Sequence, residues 1–171
     1  MRQRLSTPAA MRDYEAKVSH ETARLVREPA HPEPPQPFGD PLSGLVLVAD
    51  PGDPEATGTG SGALVEALER SLAAVKLDGA YVTWLHPYLL EEILALEPGA
   101  LVAVGPSVAR AIDSFGYPLA KAPFSEAAEG SWFAWTKGTR GLRLPALAPA
   151  LRDADAKRRF WRAFLALRAL H

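Results

Sequence analysis

The chain has 171 residues, 47% of them apolar, which is enough for one hydrophobic core of ordinary size, and it contains no cysteine. Disulfides, thiolate metal sites, cysteine-ligated iron–sulfur clusters and cysteine nucleophiles are thereby excluded, and a reducing cytoplasm fits. A net charge of -1 argues against a generally basic nucleic-acid binder.

The charge is uneven along the chain. Residues 1–41 carry six basic and six acidic groups, residues 42–136 four and twelve, and residues 137–171 nine and two. A basic C-terminal segment therefore follows an acidic body. Either the two halves neutralise each other on the folded surface, or the C-terminal segment forms a phosphate-binding patch. The N-terminus lacks the apolar core of a secretory signal, and no stretch approaches the roughly 18 apolar residues of a membrane span. A soluble, cytoplasmic protein is expected.

From Arg12 to Val26 the sequence RDYEAKVSHETARLV is compatible with a helix, but only Tyr14, Val18, Leu25 and Val26 are sizeable apolar groups. Six prolines between Pro29 and Pro41 then deny the backbone its helix and ladder hydrogen bonds and favour a stiff extended chain. The reading is an arm over 1–28, a proline-rich linker over 29–41 and a folded domain over 42–171. An arm on such a spacer is either a disordered tail or a recognition segment that folds on its partner.

Leu45-Val-Leu-Val-Ala49 is a short continuous apolar run, the signature of a strand buried on both faces. A glycine-rich loop, Thr57 to Gly62, leads into a helix whose Leu64, Leu68, Leu72 and Val75 fall on one stripe. Ala80 to Trp84 reads as strand, Pro87 to Leu96 as helix, Leu101 to Val104 as strand, and Gly105-Pro106-Ser107 starts a further helix to about Ser114. Residues 116–130 are loop-like, SWFAWT and Gly141 to Pro145 are strand candidates, and an amphipathic helix from about Ala154 closes the chain. The alternation implies a three-layer α/β/α domain around a central, mostly parallel four-stranded sheet, preceded by a flexible N-terminal arm.

Little in the sequence carries chemistry. The glycine-rich loop invites a dinucleotide reading, but its glycines lie well beyond the end of the first strand, no acidic residue closes the second, and no Walker lysine follows; a flexible loop is the alternative. Asp50, Asp53 and Glu55 cluster where open α/β sheets put their active sites, and His86 ends the second strand within spatial reach of them. Such carboxylates beside prolines are ordinarily turn formers and solubilisers, and a histidine like His86 is more often a capping or partly buried one. No GxSxG elbow and no HExxH are present. Trp84 and Trp161 read as core, whereas Trp132 and Trp135 face opposite sides of a strand, so at least one reaches the surface or a neighbouring helix.

The stretch from Leu45 to Ile112 resembles the uracil-DNA glycosylase superfamily. ADPG stands for a GEAPG-like turn, SGALVEAL for the following helix, AYVTW for the second strand, and LEPGALVAVGPSVARAI for the third strand and its helix. The C-terminal LRDADAKRRFWRAF resembles the segment after the catalytic histidine motif, but Leu147-Ala148-Pro149 stands where active enzymes have HP. Asp50, Gly52, Asp53, His86, Leu147 and Ala148 are then degenerate active-site positions. A glycosylase-like fold with the reaction removed is similar to the psi-subunit family of the bacterial DNA polymerase III clamp loader. LVLVADPGD with LVEALERSL, GSWFAW, and LPAL with DADAKRRFW resemble its domain, and RDY and LVREP resemble its arm, although the family tends to carry a tryptophan near Arg24.

That resemblance implies a non-catalytic adaptor with no cofactor and no metal. Its arm, through Arg12, Tyr14, Val18, Leu25 and Val26, would bind the clamp-loader tau/gamma subunits. Its domain would bind the chi subunit and so reach single-stranded-DNA-binding protein. The alternatives are an active repair glycosylase using Asp50 or His86, or direct DNA contact through the arginine-rich last helix.

Overall fold

The structure, a computed structural model, describes Ala16, residues 34–52 and residues 60–171. The arm positions Arg12, Tyr14, Val18, Leu25 and Val26 lie outside the described residues, as do Asp53, Glu55 and the glycine-rich loop as far as Thr59.

Five strands form one sheet in the order β2-β1-β3-β5-β4. β1 (Leu45–Ala49) and β3 (Ala100–Val104) are buried at every position, as continuous apolar runs must be when both faces are covered. β1 pairs in parallel with β2 (Tyr81–Trp84) and β3, and β3 in parallel with β5 (Arg140–Leu144). The sheet has five strands where four are expected from the sequence. The additional strand, β4 (Trp132–Ala134), pairs antiparallel with β5 because the intervening turn is too short for a crossover. Trp135 and Thr136 close that turn by donating their N–H groups to Thr139 O, both at 3.1 Å.

Helices cover both faces. α1 (Ser61–Ala74) buries Leu64, Leu68 and Leu72 against one face, together with α4 (Leu147–Ala150) and α5 (Ala154–Phe164). α2 (Leu89–Leu96) and α3 (Pro106–Ser114) cover the other, beside Phe124 and Trp135. α2 begins at Leu89 and α3 carries its proline at the first position, where the missing N–H costs nothing. The Asp153 side chain caps α5, accepting from Ala156 N at 2.8 Å. The chain then tightens into a 3-10 turn, Leu165–Leu170. Residues of β1 alternate between the two cores, Leu45, Leu47 and Ala49 toward one and Val46 and Val48 toward the other, as the period of a strand requires.

The domain begins at Pro34, inside the stretch read as linker. Phe38 forms an antiparallel bridge with Val82, donating at 3.0 Å and accepting at 2.8 Å, and so covers the free edge of β2. Gly39, at φ +91°, permits this: a Cβ there would lie 1.9 Å from Ala80 O.

From β1 the chain steps outward to β2, and from β2 it returns across β1 to β3. The strand order therefore reverses at the boundary between β1 and β3. In open α/β sheets this is where the carboxyl ends of neighbouring strands splay and leave a crevice for a ligand.

Candidate functional site

The crevice between β1 and β3 is bridged by a side-chain hydrogen bond. Asp50 is the first residue after β1, and Ser107 is the second residue of α3, which follows β3. Ser107 Oγ donates to Asp50 Oδ2 at 2.7 Å, while Gly52 N donates to Asp50 Oδ1 at 2.8 Å. Both carboxylate oxygens are thus engaged. Gly52 takes φ +67°, which lets the chain turn back on the aspartate. The carboxylate also stands beside the N-terminal turn of α3, where helix geometry favours an anion. This chain supplies that anion itself.

His86 does not join Asp50 among the described residues. Its Nε2 pairs with a carboxylate oxygen of Glu92 on α2, and its Nδ1 accepts from Tyr88 N at 3.1 Å. Glu92 also accepts from Tyr81 Oη at 2.9 Å and from Thr83 Oγ1 at 3.2 Å. Tyr81 and Thr83 lie two apart on one strand and so share a face, with Thr83 wholly buried. Burial, followed by the hydrogen bond and negative charge of Glu92, pushes the Tyr81 phenol up to about 12. Glu92 thereby clamps α2 to the edge strand through Tyr81 and Thr83, and to the loop after it through His86.

Leu147 and Ala148 begin α4. The Leu147 side chain is buried in the core, and Ala148 packs against it. Beside them a cleft of about 210 Å³ is lined by Pro106, Glu129, Arg143, Pro149 and Arg159. Both arginines are engaged. Arg143 Nη1 donates to Ser125 O and Ala127 O at 2.7 and 3.2 Å, and Arg159 forms a two-point pair with Glu129 at 2.9 and 2.7 Å. The second pair joins the basic C-terminal segment to the acidic body at one point. Arg158 pairs with its neighbour Asp155.

Of the tryptophans, Trp84 and Trp135 are buried. Trp132 packs against the opposite face from Trp135, donates Nε1–H to Ala166 O at 2.9 Å and carries Arg140 over its ring at 4.6 Å. Trp161 is half-buried and stacked on Phe164.

Ser107, Tyr81, Thr83 and Glu92 do not stand out in the sequence. The signal available for Tyr81 and Thr83 was their two-residue spacing in the strand; nothing in the sequence pairs Ser107 with an aspartate 57 positions away. Among the described residues no group of three histidine, aspartate or glutamate side chains could hold a metal ion, and no helix is long and apolar enough to cross a membrane. Comparison with protein-family models finds no match, and comparison with curated proteins finds none either.

Proposed function

We propose that this chain is a non-catalytic adaptor of the DNA polymerase III holoenzyme, similar to the psi subunit. The arm over residues 1–28 takes the tau/gamma subunits of the clamp loader. The domain takes the chi subunit, and through it single-stranded-DNA-binding protein. The assignment comes from the sequence resemblance.

One structural observation carries the non-catalytic part of the reading. The boundary at the strand-order reversal is bridged by Asp50 and Ser107, and each oxygen of this carboxylate accepts an internal hydrogen bond that holds it in place. Two further features support it. His86 is turned onto Glu92, and an apolar Leu147 stands in the core where the superfamily's histidine motif falls. An adaptor needs no open crevice; it needs a stable domain and a tether, and the tether raises the local concentration of the second partner.

The testing experiment is reconstitution from purified components, followed by gel filtration. The full chain should bring chi and tau/gamma into one peak that neither forms without it. Chi and tau/gamma eluting separately in its presence would refute the adaptor reading.

A further inference from the structure

A groove of about 260 Å³ runs between α1, α4 and α5, on the sheet face opposite α2 and α3. Leu147, Leu151, Phe160 and Trp161 make its apolar floor and wall, and Arg70 and Lys157 stand in its lining. Leu151 is 39% exposed, and Trp161, stacked on Phe164, is half-buried and lines the groove. An amphipathic closing helix would be expected to bury its aromatic stripe. Here the stripe ends in an opening bounded by two cations.

The geometry points to this groove as a docking site for an amphipathic helix of a partner protein, with bulky apolar side chains on one face and carboxylates flanking them. The apolar wall takes the anchors by burial. The charge complement follows from the rim. Lys157 is exposed and forms no ion pair among the described residues. Among the described residues Arg70 pairs with Glu66, at 2.5 Å within one helix turn, with both side chains largely exposed, so a partner carboxylate can replace Glu66 at small cost. Asp153 is committed to capping α5 and Asp155 to Arg158. A second copy of the chain fits less well, because an isologous contact sets the same two cations against each other. The inference stands apart from the adaptor reading, since the groove's chemistry is the same whichever assembly supplies the helix.

The probe is a synthetic peptide of about 16 residues with leucines at i, i+3, i+4 and i+7 and glutamates elsewhere. Its counterpart has lysines in place of the glutamates. Binding to the full chain is read by backbone amide NMR shifts and by titration. The glutamate peptide should perturb α1, α4 and α5, bind about tenfold more tightly than the lysine peptide, and weaken as salt rises. L151E should weaken it about tenfold and K157E severalfold. L119E, at an exposed leucine outside the groove lining, should leave it unchanged. Leu151 and Lys157 are exposed enough for the variants to fold, which circular dichroism verifies. Equal binding of both peptides, shifts confined elsewhere, or no binding would overturn the proposal. So would a dimer of the full chain that L151E makes monomeric, since the occupant would then be a second copy.

Discussion

Ser107 Oγ donates a 2.7 Å hydrogen bond to Asp50 Oδ2 across the boundary between β1 and β3. Two elements far apart in sequence are tied by it at the point where the strand order reverses. Ser107→Ala should therefore lower stability by about 1 kcal/mol, the usual net worth of such a bond, with a larger loss if the carboxylate finds no water in its place. Urea unfolding measures it. Asp50→Asn should retain the Gly52 contact and lose less than Asp50→Ala; equal losses would mean that the contacts of Asp50 contribute nothing specific.

No base should be released from uracil-containing or mismatched single- and double-stranded DNA above the level of a buffer control. On the proposed non-catalytic reading, D50A and H86A should be indistinguishable from the unaltered chain in the same assay. Release that either substitution abolishes would establish an enzyme.

Glu92 is the acceptor for Tyr81 and Thr83 and the partner of His86. Glu92→Leu leaves the wholly buried Thr83 hydroxyl without its acceptor and should cost about 2 kcal/mol. Pairing it with Tyr81→Phe should cost less than the sum of the two single changes, since they break one shared bond. Additive losses in urea unfolding would argue that Tyr81 and Glu92 do not interact.

The Tyr81 phenol titrates at about 12 in the folded protein against 10.0 for the free group. Above pH 10 the unfolded chain loses this proton first, so the folded state binds more protons than the unfolded one. The stability that the phenol contributes is thus complete below pH 10 and is lost as pH rises toward 12. Tyr81→Phe should flatten that alkaline decline, measured as the thermal midpoint against pH between 9 and 12. A decline of the same steepness would assign it to other groups.

Gly39 allows Phe38 to pair with Val82 at the β2 edge and Asp40 N to reach Gly79 O just before it. A Cβ there would lie 1.9 Å from Ala80 O, at a backbone angle that other residues rarely adopt. Gly39→Ala should cost about 2 kcal/mol or free the segment from the sheet. Hydrogen exchange at the Val82 amide, which donates to Phe38 O at 2.8 Å, separates these outcomes from no effect.

The core was legible where sequence period and burial coincide. LVLVA and the Leu64, Leu68, Leu72 and Val75 stripe behave as a doubly covered strand and a helix face should. The fifth strand was less so. SWFAWT reads as an aromatic strand, yet its antiparallel place at the edge depends on a turn closed by Thr136 and Thr139, a local hydrogen-bonding detail. That the compact unit begins at Pro34 and that Phe38 pairs with β2 was not legible for a related reason. Prolines mark an extended chain, and an extended chain can as well lie along a sheet edge as hang free. At the crevice the sequence offers Asp50 and His86 as two polar groups near one another. Which partner each takes, Ser107 or Glu92, is decided by the tertiary approach of α3 and α2.

In the proposed adaptor the arm and the domain divide the labour, and deletion of residues 1–28 separates their contributions. Binding of the full chain and of residues 29–171 to immobilised tau/gamma and, separately, to chi is the measurement. The truncated chain should lose tau/gamma binding and keep chi binding undiminished. Undiminished tau/gamma binding after the deletion, or no binding of the full chain to either subunit, would contradict it.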